Sequence, residues 1–235
     1  MKKIIFSFWG VVMLGLSGCI KKGDNIQDFG ITPAIVGFDI LQPVIKTPYG
    51  TLYAPELQSA MLTMDLMEGN TILTTFTINY DQQPSTEYYT VSNMQWLKVE
   101  KGWPSTYEAG DFNVPIEAMG VYDLVGNILF FGFQHTAPKD QVFIYEMTYD
   151  PESSDDIPVL YIRAKKVGTG TNASGVNAYA YAFDMSSYFY AAHKDAQNKV
   201  KFTISYKTGV DDEGNDKFEP YTSSYGIVTF EIVVE

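Results

Sequence analysis

The 235-residue sequence has one cysteine, one arginine and two histidines, and each shortage excludes a class of protein. A single cysteine cannot form a disulfide within the chain, so packing alone must stabilise the fold. Nucleic acids are bound by clusters of Lys and Arg, and a chain of net charge -12 whose one arginine is Arg163 is not expected to bind them. His135 and His193 lack further His or Cys residues at zinc-ligand spacing, so we predict neither a metal nor a cofactor.

The sequence also lacks recognisable catalytic motifs. It has no Gly-x-Ser-x-Gly elbow, which argues against serine hydrolase chemistry. Residues 150–156 and 211–216 are rich in carboxylates, but neither stretch has the twelve-residue calcium loop with its closing glutamate. We interpret residues 211–216 as a polar hairpin tip and leave calcium binding open. The protein is therefore expected not to be an enzyme.

The N-terminal stretch carries the clearest signal. Lys2 and Lys3 precede an apolar run from Ile4 to Leu16 that is too short for a relaxed transmembrane span. This run leads into a Leu-Ser-Gly-Cys sequence that ends at Cys19 and is typical of a lipobox, in which the cysteine is lipidated and the preceding peptide is removed. We predict a lipoprotein signal peptide over residues 1–18 and lipid attachment at Cys19.

The predicted lipid makes the membrane the first expected partner. Ile20, and not an aspartate, follows the cysteine, which argues against retention at the inner membrane and favours the outer membrane. The periplasmic face and the cell-surface face both fit. Residues 19–28 are mostly polar, and we interpret them as a tether that ends where ordered structure begins, at Phe29.

Short β-rich segments separated by turn residues predict an all-β chain. In the first half, Phe76, Ile78 and Tyr80 alternate with polar residues, as in a strand with one buried face. One short helix or irregular turn is predicted where Leu57, Met61, Met64 and Met67 recur at helical spacing, and these methionines are interpreted as core residues. Four or five strands with one insertion favour a small barrel over residues 29–103.

The second half, residues 104–235, favours a β-sandwich because its strands follow one another at close spacing. A Gly-rich stretch, residues 168–175, is interpreted as a flexible hairpin tip, and Asp184 as the cap of a short helix over residues 185–192. The predicted strands are Ile128–Phe133, Gln141–Tyr149, Val159–Val167, Val176–Phe183, Val200–Tyr206 and Ile227–Val234.

Several segments resemble the NigD-like family of Bacteroidetes lipoproteins. They are the lipobox cysteine, residues 49–55 (YGTLYAP), the Glu-Gly-Asn turn at residues 68–70 that leads into a long strand, and residues 94–98 (MQWLK). The sequence departs from the family pattern at this turn, since Asn70 stands where a basic residue is often found. The resemblance implies an N-terminal OB-type barrel followed by a C-terminal β-sandwich, the same division that the turn spacing favours. It bears on fold and location and not on mechanism, because the family has no settled biochemical activity.

Aromatic side chains are the best candidates for contacting a ligand. Tyr88, Trp96, Trp103 and Tyr181 are predicted as possible contacts because flat rings stack on sugars, and OB-type barrels bind oligosaccharides as well as oligonucleotides. Core packing is the competing interpretation of the same residues.

The leading hypothesis is a lipid-anchored, non-enzymatic binding or interaction module of the cell envelope, with a glycan or an envelope protein as its partner. Two alternatives stay open: a glycan-active enzyme that uses two of the 28 acidic residues, and a structural or fimbria-type subunit.

Overall fold

The computed structural model describes residues 25–39, 42–63, 65–83, 88–106, 110–187 and 194–233. Within these ranges β-strands predominate, which confirms the predicted all-β class. The chain divides into two compact units. The N-terminal unit runs up to Glu100 and also takes in Tyr122–Gly126, and the C-terminal unit comprises Lys101–Val121 and the chain from Asn127 onwards. The sequence predicted the division after Trp103 and offered no signal for the separate segment Tyr122–Gly126.

The described part of the N-terminal unit is built from five strands and one α-helix, together with the end of a later strand. Their bounds are β1 (Ile26–Asp39), β2 (Gln42–Thr47), β3 (Gly50–Tyr53), α1 (Pro55–Leu62), β4 (Thr71–Asn79) and β5 (Tyr89–Gly102), whose last residues enter the C-terminal unit. Strand β1 begins earlier than the predicted start at Phe29, because Ile26 already pairs with Asn79. The predicted tether is therefore too long at its C-terminal end.

The five strands form a closed cycle of hydrogen-bonded pairs. Strand β1 pairs antiparallel with β2 and β4, β2 pairs with β3, and β4 pairs with β5. The cycle closes where β3 pairs parallel with β5, through Leu52 opposite Tyr89 and Tyr53 opposite Thr90. A closed cycle of strands is what a barrel needs, and the OB-type barrel itself stays a prediction.

Helix α1 begins with a proline in its first turn, where the missing backbone N–H needs no partner. It buries Leu57 and Ala60 against a core that includes Ile45, Leu52 and Ile72. The helix ends at Leu62, so the predicted helical stripe is too long: Met67 lies in a turn and is 53% exposed. The core interpretation is therefore wrong for Met67, while Met61 does pack against the core.

The C-terminal unit contains most of the remaining strands. Strand β7 starts in this unit and ends in the N-terminal one. The bounds are β6 (Pro104–Ser105), β7 (Ala118–Val125), β8 (Ile128–Pro138), β9 (Val142–Thr148), β10 (Val159–Val167), β11 (Ser174–Asp184), β12 (Lys199–Val210), β13 (Asp216–Pro220), β14 (Thr222–Ser223), β15 (Gly226–Ile227) and β16 (Thr229–Val233). Five of the six predicted strands are confirmed to within five residues at their ends. The predicted strand Ile227–Val234 is wrong as a single strand, because Ile227 belongs to β15, which pairs with β14, while Thr229–Val233 form β16, which pairs with β12.

Two layers of strands pack face to face in the C-terminal unit. Strands β8 and β11 form an antiparallel pair, and β13, β12, β10, β9 and β6 follow one another in a second sheet. Phe133 of β8 stacks on Tyr145 of β9 with ring centroids 4.0 Å apart, and Phe131, Phe133 and Phe183 are fully buried. This arrangement is sandwich-like, as predicted for the second half of the chain.

Two local predictions in the C-terminal unit are corrected. Strands β10 and β11 pair with different partners, so the Gly-rich stretch between them crosses from one sheet to the other and is not a hairpin tip. Asp140 holds it, since its carboxylate accepts hydrogen bonds from the backbone N–H groups of Thr171 and Asn172. The predicted helix after Asp184 is described only as a 3-10 turn, Met185–Ser187, and the rest of it lies outside the described residues.

Candidate functional site

The four predicted contact residues are divided between the two units. Tyr88 and Trp96 belong to the N-terminal unit, where both are half-buried. The Tyr88 ring lies edge-on to Tyr53 with centroids 6.0 Å apart, and Trp96 packs against the hydrophobic core. Trp103 and Tyr181 belong to the C-terminal unit. The predicted lipid site, Cys19, lies outside the described residues, so its lipidation stays a prediction.

Tyr181 is not an open aromatic platform. Its side chain is 8% exposed, and its ring lies 5.3 Å from that of Tyr145 and 5.2 Å from that of Phe183. The sequence shows that Tyr181 and Phe183 share one face of a strand, but not that this face is covered by a second sheet. The core interpretation is therefore correct for Tyr181.

Trp103, in contrast, is an open ring with polar neighbours. Its side chain is 56% exposed, although large aromatic side chains are usually mostly covered. The Lys101 ammonium lies 5.8 Å from the centroid of the indole, within the range of a cation–π interaction. The two residues flank Gly102 at the end of β5.

Gly102 allows this strand end to lie against the aromatic core. A Cβ atom at this position would be 3.0 Å from the Tyr181 hydroxyl and 3.2 Å from its ring, which is tighter than normal packing. The Tyr181 side chain therefore packs against Gly102, while the adjacent Trp103 remains exposed. The site thus uses Tyr181 as a support and not as a contact surface.

A half-buried ion pair completes the site. Lys101 Nζ lies 3.3 Å from Asp184 Oδ2, and the two side chains are 23% and 17% exposed. Asp184 Oδ1 accepts hydrogen bonds from the hydroxyl and the backbone N–H of Ser186 at 2.6 and 3.1 Å. Burial raises the pKa of the Asp184 carboxyl, but the bonds from Ser186 and the charge of Lys101 lower it more, so the pKa lies below its ordinary value.

This arrangement suits binding better than catalysis. A flat indole beside a fixed cation and carboxylate offers a stacking surface together with hydrogen-bond donors and acceptors. Glycoside hydrolysis needs two carboxyl groups, one of which keeps its proton as the general acid. Asp184 has a lowered pKa and is paired with a lysine, so it is poorly suited to be that acid.

The acidic stretch at residues 211–216 is a hairpin tip, as predicted. Strands β12 and β13 pair antiparallel on either side of it. Asp211 Oδ1 accepts the backbone N–H groups of Glu213 and Asn215 at 2.9 and 2.8 Å, so this carboxylate closes the turn. Over the described ranges, no three His, Cys, Asp or Glu side chains are grouped so that they would hold a metal ion.

His135 is a buried structural group in the C-terminal unit. Its side chain is 2% exposed, its ring stacks on Phe143 with centroids 4.0 Å apart, and its Nε2 lies 3.1 Å from the Tyr145 hydroxyl. Burial lowers the pKa of His135 to about 4, although a hydrogen bond to the Pro115 carbonyl opposes this shift. The second histidine, His193, lies outside the described residues.

The pKa of His135 makes stability depend on pH. In the unfolded chain His135 is protonated below about pH 6.5, whereas in the folded chain it stays neutral down to about pH 4. The unfolded state therefore binds more protons in this window, and the free energy of unfolding should fall as the pH falls through it. We expect a loss on the order of 1–2 kcal/mol between pH 6.5 and pH 5, measured by urea unfolding. A His135→Phe variant should lack this part of the slope, and an unchanged slope would contradict a neutral buried His135.

Sequence comparisons give no match. No family model matches the chain, and no curated protein matches it. The described part of the chain has no helix that is both long enough and apolar enough to span a membrane.

Solved structures do share the fold. An uncharacterised protein from Parabacteroides merdae is 14% identical and covers 88% of this chain and 100% of its own, with a TM-score of 0.68. A DUF1344 protein of unknown function from Bacteroides vulgatus is also 14% identical, with coverages of 85% and 94% and a TM-score of 0.52. A NigD-like immunity protein from Bacteroides caccae also matches, at 12% identity, with coverages of 92% and 99% and a TM-score of 0.47.

Proposed function

We propose that the protein is a non-enzymatic binding module of the bacterial cell envelope that contacts a glycan through Trp103. One observation carries the proposal: the indole is 56% exposed and lies beside the half-buried pair of Lys101 and Asp184. Sugar rings have apolar C–H faces that stack on aromatic rings and hydroxyls that bond to charged side chains. The site offers both kinds of contact within one short segment.

The ion pair gives the proposed site its specificity. The Lys101–Asp184 pair and Ser186 are fixed by mutual bonds, so a ligand hydroxyl would meet groups that are already oriented. Preorganised polar groups lose little entropy on binding, which favours recognition of a rigid sugar ring.

The location is part of the proposal. A lipid on Cys19, followed by a short polar segment, would hold the described units near the outer membrane, on its periplasmic or its outer face. A surface-bound binding module would then meet glycans at a membrane, where many weak contacts add up. Palmitate labelling of the full-length protein, lost in a Cys19→Ala variant, tests this tether separately from ligand binding.

The binding test uses the chain from Ile20 to Glu235 and an array of glycans, with and without calcium, followed by calorimetry on the ligands found. The Trp103→Ala variant should bind about tenfold more weakly, because covering on the order of 60 Å² of apolar ring surface contributes about 1.5 kcal/mol. Tyr225→Ala is the matched control, since Tyr225 is a fully exposed aromatic residue in the same unit, at the turn between β14 and β15.

Three results would contradict the proposal. They are an array without binding in either condition, equal affinity of the Trp103→Ala variant and the parent chain, and the release of free sugar from a bound glycan. The last of these would favour the alternative of a glycan-active enzyme.

A further inference from the structure

Two exposed tyrosines meet where β4 ends and β5 begins in the N-terminal unit. Tyr80 opens a 3-10 turn, Tyr80–Gln82, directly after β4, and Tyr89 is the first residue of β5. Their ring centroids are 5.8 Å apart and the rings are nearly perpendicular, at 81°. Each side chain is 41% exposed, so each ring is partly open to a ligand.

Hydrogen bonds from neighbouring segments fix Tyr80. Its hydroxyl donates to Gln27 Oε1 at 2.9 Å, and its backbone N–H donates to the Asn25 carbonyl at 2.7 Å. The Asn79 side chain caps the turn by accepting the backbone N–H of Asp81 at 3.0 Å. The Tyr80 side chain is therefore fixed at its hydroxyl and at its backbone, so it loses little conformational entropy when a ligand covers the ring.

A side-chain clamp fixes the start of β5 beside Tyr89. Gln83 Oε1 accepts the backbone N–H of Thr90 at 2.7 Å, while Gln83 Nε2 donates to the Asn79 carbonyl at 2.5 Å. This one amide thus joins the end of β4 to the start of β5. Tyr89 is further fixed by its position opposite Leu52 in the pairing of β3 with β5.

The groups around the pair indicate the ligand class. Gln27 and Asn25 bring side-chain amides, and Asp81 brings a carboxylate whose Oδ1 accepts the Asn25 amide at 2.7 Å. Asp81 and the chain's net charge of -12 disfavour an anion. Two rings at right angles provide a face for stacking and an edge beside it, and the amides provide donors and acceptors for hydroxyl groups.

We infer that Tyr80 and Tyr89 form a binding site for a neutral saccharide ring on the N-terminal unit. The inference rests on geometry that Trp103 does not share, so either site can exist without the other. The Tyr80–Tyr89 pair stacks on the sugar, while Gln27, Asn25 and Asp81 are the polar groups that bond to its hydroxyls.

The test is run in a Trp103→Ala background, which removes the other proposed site. Chains from Ile20 to Glu235 are titrated by calorimetry with neutral hexasaccharides of glucose, mannose and xylose. At least one hexasaccharide should bind, and the additional change Tyr80→Ala or Tyr89→Ala should weaken that binding tenfold or more. Tyr225→Ala in the same background is the matched control and should leave the affinity unchanged.

A second measurement does not depend on how the Tyr80→Ala and Tyr89→Ala variants fold. In the Trp103→Ala chain with 13C-labelled tyrosine, the ring signals of Tyr80 and Tyr89 should shift with the bound saccharide and saturate, while the signal of Tyr225 should not move. The inference is overturned if no hexasaccharide binds, if the Tyr80→Ala and Tyr89→Ala variants keep full affinity, or if binding leaves both ring signals unchanged. If the parent chain binds a hexasaccharide and the Trp103→Ala substitution abolishes that binding while Tyr80→Ala and Tyr89→Ala do not, the result supports the Trp103 site and contradicts the Tyr80–Tyr89 site.

Discussion

An Asp216→Asn variant should unfold with a free energy about 3 kcal/mol lower than that of the parent chain, because Asp216 is the carboxylate partner of two buried cations. Arg163 and Lys207 are 6% and 4% exposed. Arg163 Nε lies 3.2 Å from Asp216 Oδ2, and Lys207 Nζ contacts Asp216 Oδ1. The amide keeps the shape of the side chain but removes its charge.

The size of this effect follows from where the charges lie. Removing one partner of a buried ion pair typically costs about 3–5 kcal/mol, and we expect the lower end because Asp216 is itself partly exposed. Arg163 is also held by a 2.7 Å hydrogen bond to Thr148 and lies over the ring of Phe218, so it cannot easily move towards water. The charge therefore remains buried after the substitution.

The effect of Asp216 should depend on pH. Burial raises the pKa of Asp216, but its bonds to Lys207 and Arg163 lower it more, so the folded-state pKa lies below the ordinary value. The stabilisation is therefore full above about pH 4 and is lost as the pH falls through the lower folded-state pKa. Urea unfolding at pH 7 and at pH 3 measures both parts of the prediction.

Asp212→Asn is the matched control for Asp216. Asp212 is exposed at the tip of the same hairpin, so its substitution should change stability by less than about 0.5 kcal/mol. Equal stabilities of the Asp216→Asn and Asp212→Asn variants would show that the ion cluster does not stabilise the fold.

Phe131→Ala should lower the free energy of unfolding by about 4 kcal/mol. Phe131 is fully buried, and its ring lies 5.8 Å from that of Phe133 and 5.9 Å from that of Phe183. These rings sit between two sheets that hydrogen bonds keep in place, so the cavity cannot collapse easily. Urea unfolding followed by circular dichroism measures the loss.

Two further variants calibrate the Phe131 result. Phe131→Leu leaves a much smaller cavity and should cost about 1–2 kcal/mol, and Tyr225→Ala should be nearly neutral because that side chain is fully exposed. A loss below about 1 kcal/mol for Phe131→Ala would contradict a tightly packed core at this position.

Strand positions could be predicted because alternation and turn residues are local signals. Strand β10 has the bounds that the sequence predicts, and β4 follows the predicted alternation through Phe76 and Ile78. Pairing is not local, which is why the prediction of a hairpin tip at the Gly-rich stretch is wrong. Flexible residues between two strands do not reveal that each strand joins a different sheet.

The candidate site was only partly predictable for the same reason. Residue type alone points to Trp103, but its 56% exposure is visible only in the fold. The sequence predicts Asp184 as a helix cap, and only the fold brings it to Lys101, which is distant in sequence. The alternation predicts Tyr80 on a buried strand face, but β4 ends one residue before it and the Tyr80 ring is partly exposed.

The most direct test of the Trp103 site is the fluorescence of Trp103 itself. A chain from Ile20 to Glu235 with Trp96→Phe keeps Trp103 as its one tryptophan. Titrated with the glycans that bind, its emission should shift to shorter wavelength and saturate with the calorimetric affinity, because a sugar that stacks on the ring excludes water. An emission spectrum that stays unchanged at full saturation would contradict a glycan site at Trp103.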